Sequence, residues 1–371
     1  MFKKSARPSK PSDGVSITDA GPCQKSLRLQ VGPEEIAPVR AAVLGEFQKR
    51  AELPGFRKGK APLDLVEKHY AKPMQEETLH RVTQQTFERV VTDHRLKPVG
   101  PFQLNRADYQ DADGLTLEAT VEVEPDFALG AYREIPLTRS SADVSQDEIA
   151  QALAKLQESM AQLVPVTEGA PKERRVPALD DELAKDLGFE TLAKLQAHVE
   201  AKLREQKRAA QERGLEGSLC DELLGRHTFE VPPQLVGHQT ERLTRDFKVR
   251  LLLAGRTEAQ VEEEAGKFTE QLRTNAQRYV KLSFILDRIA EHESVAVTQD
   301  EVVGHLWQLA QRWKKDPTEV RKFLDAQGLW PSVVSTIRQE KTVAMLLKAA
   351  KITNGRTATT PSKTATQEGR V

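Results

Sequence analysis

Alternating hydrophobic and polar residues predict β-strands only in the first part of the chain. Residues 27–31 place an apolar side chain at every second position, and residues 115–123 repeat this pattern over a longer run. A period of two is typical of a strand with one face on a core and the other in water. The positions of the second strand that are expected to face water are Thr116, Glu118, Thr120 and Glu122. Helical spacing fills the interval between the strands, so residues 25–135 are predicted to form one small α+β domain.

Helical spacing of apolar residues dominates the second half of the chain. Ser145 followed by Glu148 forms a capping-box pattern, as does Thr298 followed by Glu301. After the first of these boxes, apolar residues recur at alternating intervals of four and three, which predicts a helix packed against a partner helix. The members of this seam are Ile149, Leu153, Leu156, Met160 and Leu163. Residues 177–352 are predicted to form an elongated all-α domain with long helical arms.

The segments outside these two domains lack periodicity. Residues 1–24 are rich in Ser, Pro, Gly and Lys and are predicted to be a flexible lead, with order beginning at Lys25. Residues 136–176 are predicted to be a linker helix followed by a short loop, which spans residues 164–176. The Thr/Ser/Lys-rich residues 353–371 are predicted to be a disordered tail. The predicted fold class is therefore multidomain α+β.

Composition and charge narrow the classes of function. A chain of 371 residues suggests two or three domains. Lys+Arg and Asp+Glu both number 55, so overall charge does not favour a coat for nucleic acid, although a local basic patch remains compatible with it. No apolar run approaches the ~18 residues of a membrane span. Because the N-terminus also lacks an apolar signal segment and the two cysteines lie far apart, a cytoplasmic protein without disulfides is expected.

A basic loop over residues 55–60 is the strongest candidate binding segment. It does not fit a phosphate-binding P-loop, because its glycines are one residue too close and Ala61 stands where Ser or Thr is required. From residue 49 to residue 60 one acid, Glu52, stands among five basic residues. These are Lys49, Arg50, Arg57, Lys58 and Lys60. One interpretation is a solvated loop with Phe56 tucked under the domain; the other is a tip that contacts phosphates or an acidic protein.

Catalytic patterns are weak throughout the sequence. His292-Glu293 lacks the second histidine of a zinc protease motif, and the spacing of Cys220 and His227 matches no nucleophile–base arrangement. No cofactor or metal is expected, and the protein is not expected to be an enzyme. The large aromatic residues near the C-terminus are expected to pack in cores rather than to contact clients. These are Trp307, Trp313 and Trp330.

The loop sequence LPGFRKGKAP closely resembles the signature of the trigger factor family, the ribosome-associated chaperones of bacteria. The segments VEVEPDFALGAYREIPL, PALDDELAKDLGFETLAKLQAHVEAKL and FEVPPQLV are also similar to that family and follow its order, so the resemblance covers most of residues 25–352. It implies that a Phe-Arg-Lys triplet docks at the nascent-chain exit of the large ribosomal subunit. The matching residues are Phe56, Arg57 and Lys58, framed by Gly55, Gly59 and Lys60.

One departure from the family concerns its peptidyl-prolyl isomerase domain of the FK506-binding type. Members carry this domain between the linker helix and the C-terminal domain, where this sequence has only residues 164–176. Thirteen residues are too few, since autonomous domains usually need about 40 or more. The isomerase domain is therefore expected to be absent, despite the family's association with this activity.

The resemblance implies an ATP-independent chaperone that docks on the large ribosomal subunit, through its exit-site protein and RNA, and shields nascent polypeptides. Three alternatives come from other classes: an active prolyl isomerase, a periplasmic chaperone of the SurA type, and an RNA-binding adaptor. A holdase that works off the ribosome is also left open, as is a weak homodimer of the free protein. No membrane partner is expected.

Overall fold

A computed structural model describes residues 14–110, 113–165 and 172–355 of the chain. Its N-terminal part contains a four-stranded antiparallel sheet. The strands are β1 (Val15–Gly21), β2 (Gln24–Val31), β3 (Gln103–Gln110) and β4 (Gly114–Glu122). Their order across the sheet is β1-β2-β4-β3, so the two strands predicted from alternation lie side by side in its centre.

Strand β1 corrects the prediction that order begins at Lys25. Val15 pairs with Leu29 of β2, Ile17 pairs with Leu27, and both β1 side chains pack against the buried core. The strand was hidden in a stretch whose composition is typical of a flexible lead. Residues 1–13, the rest of that predicted lead, lie outside the described residues.

The core of this part lies between the sheet and helices α1 (Pro33–Arg50) and α3 (Ala71–Asp93), with the short helix α2 (Leu63–His69) between them in sequence. The predicted alternation is confirmed, because every second side chain of β2 and β4 is buried. These side chains are Leu27, Leu29, Val31, Leu115, Leu117, Ala119 and Val121. Burial of apolar surface on one face of the sheet therefore fixes its register.

Helices dominate the rest of the described chain. They are α4 (Gln146–Ser159), α5 (Asp181–Asp186), α6 (Leu192–Arg226), α7 (Pro233–Leu253), α8 (Glu258–Lys267), α9 (Thr269–His292), α10 (Gln299–Trp313), α11 (Pro317–Gln327) and α12 (Trp330–Ala349). The short strands are β5 (Pro136–Arg139), β6 (Gln162–Pro165), β7 (Lys172–Arg175) and β8 (Lys351–Asn354). Capping boxes at Ser145 and Thr298 start α4 and α10 as predicted. The fold is therefore a multidomain α+β structure.

The chain divides into two units, and each unit combines two separate stretches of sequence. Unit 1 comprises Met1–Ala128 and His227–Ile285, whereas unit 2 comprises Leu129–Arg226 and Leu286–Val371. This division differs from the contiguous domains predicted from the sequence. Helices α7 and α8 and most of α9 belong to the unit that contains the N-terminal sheet. Apolar residues of α7 and α9 pack in one cluster with Val99 and Phe127 of the first stretch, and α8 contacts α7.

Glu122 joins the two stretches of unit 1 and corrects its predicted exposure. Its side chain is buried, and its carboxylate accepts the backbone N–H groups of Gln234 at 2.7 Å and Leu235 at 3.2 Å. Both donors lie in the first turn of α7, whose N-cap residue Pro232 supplies no side-chain acceptor. The carboxylate therefore takes the place of an N-cap side chain and satisfies amides that the helix leaves unpaired.

Helix α4 confirms the first part of the predicted seam and corrects its end. Ile149 and Leu153 are buried against Leu195 of α6, which is the expected helix–helix contact. The helix ends at Ser159, however, and Leu163 lies in β6. Pairing of β6 with β7 satisfies the backbone groups of this segment in place of helical hydrogen bonds.

The short strands of unit 2 correct two predicted irregular segments. The predicted loop over residues 164–176 contributes to an antiparallel hairpin of β6 and β7. At the C-terminus β8 pairs in parallel with β5, so Thr353 and Asn354 belong to a strand rather than to the predicted tail. Residues 356–371 lie outside the described residues.

Candidate functional site

The predicted binding loop, residues 55–60, lies within the connection between α1 and α2, which spans residues 51–62 and is anchored near both of its ends. Ala51 and Ala61, near its two ends, are both buried in a cluster with Val43 of α1 and Met74 of α3. The side chain of Gln48 also donates a hydrogen bond to the carbonyl of Ala61 at 2.8 Å. The small alanine side chains let the two ends of the loop enter the core, so the loop projects from a fixed base.

Two glycines shape the tip of the loop. Gly55 has a φ of 87° and Gly59 a φ of 76°, in the left-handed region that other residues enter only with strain. Gly55 lies in a tight turn that is closed by a hydrogen bond from the Phe56 amide to the Leu53 carbonyl at 3.1 Å. These backbone conformations place Phe56, Arg57 and Lys58 consecutively at the tip, between the two glycines.

The side chains of the tip are exposed, as a docking surface requires. Phe56 is 42% exposed, and Arg57, Lys58 and Lys60 also face solvent. The interpretation in which Phe56 tucks under the domain is therefore wrong. An exposed aromatic ring beside three cations offers an apolar contact and charge-assisted hydrogen bonds to the same partner.

The electrostatics of the loop combine one internal ion pair with unpaired cations. Lys58 Nζ lies 2.7 Å from Glu52 Oε1, and this hydrogen bond lowers the pKa of the Glu52 carboxyl below its usual range. Within the described chain, neither Arg57 nor Lys60 forms an ion pair. On the supporting helices, Arg81 of α3 donates hydrogen bonds to the carboxylate of Glu46 on α1 and lowers the pKa of that carboxyl. This pair links α3 to α1.

Exposed aromatic residues in unit 2 correct the prediction of core packing. Trp307 is 55% exposed and Trp313 is 41% exposed. Trp330 alone follows the prediction, because it packs against the core cluster of α10, α11 and α12. The ring of Trp313 meets that of Phe323 edge-to-face with centroids 5.8 Å apart, so α10 and α11 share an apolar surface. The other exposed large apolar residues of this part of the chain are Val303, Trp307 and Leu329, and we call the five exposed residues together the α10–α11 surface.

A second apolar surface, in unit 1, was missed from the sequence. It lies at the end of α7 and the end of α8, where the Phe268 ring meets that of Phe247, and Leu253 is its most exposed member at 83%. The other members are Val249, Leu252 and Phe268. The run of three leucines over residues 251–253 was the available signal. Successive helical residues point about 100° apart, so one buried stripe cannot cover all three.

The described residues show no arrangement suited to catalysis by a thiol or a metal. Burial raises the pKa of the Cys23 and Cys220 thiols, which disfavours the reactive thiolate form. His292 contacts Tyr132 and Glu293, an acid that also pairs with Arg133, rather than a nucleophile. No group of His, Cys, Asp and Glu within these residues could hold a metal ion.

No helix within the described chain is both long and apolar enough to cross a bilayer. The binding features are instead an aromatic, basic loop on a fixed base and apolar surfaces on long helices. Such features are typical of a protein that binds other macromolecules.

Comparison with known proteins identifies the family. A family model described as bacterial trigger factor protein (TF) matches residues 14–156, and a model of its C-terminus matches residues 191–348. The chain therefore belongs to the trigger factor family, whose members are chaperones. The N-terminal match begins at residue 14, in agreement with the ordered strand β1.

Individual relatives support this assignment. The trigger factor of Anaeromyxobacter sp. (strain Fw109-5) is 23% identical, and the match covers 91% of this chain and 99% of the relative. That of Geotalea daltonii is 24% identical over 91% of this chain and 98% of the relative. A solved trigger factor chaperone, studied for promiscuous substrate recognition in folding and assembly, has a TM-score of 0.51. It is 20% identical, with 91% of this chain and 99% of that chain covered, and shows that the fold is shared.

The predicted absence of the isomerase domain agrees with these comparisons. No model of a peptidyl-prolyl isomerase domain matches the chain. The alignment with the Anaeromyxobacter relative runs over 425 positions, whereas this chain has 371 residues. Because the match covers 99% of the relative, part of the relative is aligned with gaps in this chain. Between the two matched regions, the described residues form the hairpin of β6 and β7 and the six-residue helix α5.

Proposed function

We propose that this protein is an ATP-independent chaperone of the bacterial cytoplasm that docks on the large ribosomal subunit and shields emerging polypeptides. The loop over residues 55–60 is the docking element, with Phe56, Arg57 and Lys58 as its contacts and Gly55, Gly59 and Lys60 as their frame. The observation that carries this proposal is the exposure of an aromatic ring and three cations on a loop whose base is buried.

The chemistry of the loop suits the surface of a ribosome. Arg57, Lys58 and Lys60 can contact phosphates or acidic side chains, and Phe56 adds an apolar contact that phosphates alone cannot satisfy. The loop does not match the pattern of a nucleotide-binding P-loop. The proposal that the protein acts without ATP rests on the family resemblance. The exposed apolar surfaces on the helices suit many different clients, because shallow contacts bind weakly and release easily.

Co-sedimentation with purified large ribosomal subunits tests the docking assignment. Replacing Phe56, Arg57 and Lys58 with alanine is expected to weaken binding roughly 30-fold or more, since one central contact residue commonly accounts for about 2 kcal/mol. The matched control replaces Arg321, Lys322 and Phe323, which are the same three residue types, also exposed, on α11.

The two variants should separate two activities. The loop variant is expected to keep its ability to suppress aggregation of an unfolded client in the absence of ribosomes, and the α11 variant to keep ribosome binding. Equal ribosome binding by the loop variant and the wild type would remove the docking assignment. If neither protein binds, a holdase that works off the ribosome becomes the better description.

We also propose that the protein does not catalyse prolyl isomerisation. The support is the hairpin of β6 and β7 at the place where the isomerase domain is expected, together with the absence of a matching isomerase model. A protein whose refolding is limited by a prolyl bond is expected to refold at the same rate with and without this chaperone. A refolding rate that rises in proportion to chaperone concentration would show that an isomerase activity is present.

A further inference from the structure

The docking loop contains an acidic residue that its proposed partner has to displace. Glu52 is the one acid between residues 49 and 60, and it accepts a hydrogen bond from Lys58 Nζ at 2.7 Å. The two side chains are 71% and 62% exposed, respectively. The pair therefore lies on the surface that faces a docking partner, rather than in the base of the loop.

Lys58 differs in this respect from the other cations of the tip. Arg57 and Lys60 have no ion pair with any residue that the structure describes, so both can meet an incoming anion directly. Lys58 already holds a carboxylate. A phosphate or carboxylate that approaches Lys58 has to take the place of Glu52 or share the ammonium with it.

Glu52 is charged under the conditions in which docking would occur. The hydrogen bond from Lys58 lowers the pKa of the Glu52 carboxyl, so this group stays ionised at neutral pH. An ionised carboxylate at the tip also repels the anionic surface on which the loop docks. Both effects oppose docking, one by occupying Lys58 and the other by direct repulsion.

We propose that Glu52 sets the affinity of the docking loop by holding Lys58 in the free protein and releasing it to an anion of the ribosomal surface. This inference rests on the proposed docking function. The exchange is a modest competition, because solvent and salt screen the attraction between two exposed charges. Glu52 therefore weakens docking enough to favour release without preventing binding.

Glu52→Gln is the direct test, because it removes the charge and keeps the shape of the side chain. The dissociation constant for large ribosomal subunits at low salt is expected to fall roughly 1.5- to fivefold, the range that corresponds to a surface ion pair. The difference between variant and wild type should shrink as salt is added, because exposed charges are screened. An unchanged or weaker affinity would overturn the proposal, and a weaker affinity would mean that Glu52 positions Lys58 for docking.

Asp64→Asn is the control for net charge. Asp64 is exposed in the first turn of α2, at the end of the same loop, and it forms no ion pair with a described residue. Removing its charge is expected to leave the affinity close to that of the wild type. An equal gain from both substitutions would show that overall charge, rather than the contact with Lys58, determines the affinity, and would overturn the proposal.

Lys58→Ala completes a double-mutant cycle. If Glu52 acts through Lys58, Glu52→Gln should lose most of its effect in the Lys58→Ala background. A full effect in that background contradicts the proposal. These outcomes are distinct from failure of the proposed function: if the wild type does not bind large subunits at all, docking itself fails, whereas a binding wild type with an unaltered Glu52→Gln variant rejects only the role of Glu52.

Discussion

The protein exposes the same three types of side chain in two regions, and only one of them forms a compact contact surface. Phe56, Arg57 and Lys58 follow one another at a loop tip in unit 1, whereas Arg321, Lys322 and Phe323 follow one another on helix α11 in unit 2. Successive side chains of a helix point about 100° apart, so the second triplet cannot face one partner as a unit.

The surroundings of the two aromatic rings differ as well. Phe323 meets the ring of Trp313 and joins the α10–α11 surface, while Phe56 makes no ring contact within the described chain. A cavity of about 290 Å³ lies beside α10 and α11, but Trp307 and Trp313 do not line it. Both rings therefore belong to the exposed surface rather than to a cavity. Residue type alone therefore does not define a docking site; the backbone that presents the residues does.

Salt should separate the two regions most strongly. If Arg57, Lys58 and Lys60 each meet a phosphate, a fourfold rise in salt concentration is expected to weaken ribosome binding roughly 20- to 40-fold, from a slope of about 0.7–0.9 per contact. Aggregation suppression by the apolar surfaces should not weaken in parallel. Binding to large subunits can be measured by fluorescence titration at several salt concentrations; a flat dependence would assign the contact to Phe56 and an apolar protein surface.

A change of backbone conformation at Gly59 should have the next largest effect. Gly59→Ala places a Cβ atom at a positive φ and 3.3 Å from the Lys49 carbonyl oxygen, which disfavours the loop conformation by ~1–2 kcal/mol. Ribosome binding is expected to weaken about five- to 30-fold. Gly100→Ala is the matched control, since a Cβ there meets nothing within 4 Å and no positive φ is involved. If both variants lose ribosome binding to a similar extent, the loss does not come from the changed conformation of the loop.

The smallest effect is expected on the helical side of the comparison. Trp307→Ala removes one exposed ring from a surface with several apolar members. The chaperone concentration needed to halve client aggregation should therefore rise only roughly two- to fivefold, which corresponds to about 0.4–1 kcal/mol of apolar contact. Ribosome binding should be unaffected. Gln308→Ala, at the neighbouring exposed position, is the control. No change in the Trp307 variant would remove the α10–α11 surface from the client contacts.

The sequence was most informative where a single element determines the outcome. The alternation in β2 and β4 and the capping boxes of α4 and α10 depend on residues within a few positions of one another, and all were found. The loop motif is equally local. Gly55 and Gly59 carry the positive φ values that place the tip residues between them. The candidate docking residues were named from the resemblance of this motif to the trigger factor signature, because residue chemistry alone left the solvated-loop interpretation open.

Contacts between distant segments decided the rest. Glu122 follows the polar face of its strand in sequence, yet it is buried because α7, more than a hundred residues later, presents amides that need an acceptor. The same kind of contact assigns α7, α8 and most of α9 to unit 1 and pairs β8 with β5. Trp307 and Trp313 are exposed for a related reason, since only the packing of α10 against α11 and α12 decides which side of an apolar helix is left uncovered. Local spacing therefore determined the elements, and a local sequence motif that resembles the family signature named the candidate docking residues. Burial depends on partners from elsewhere in the chain, so it was decided by the tertiary structure.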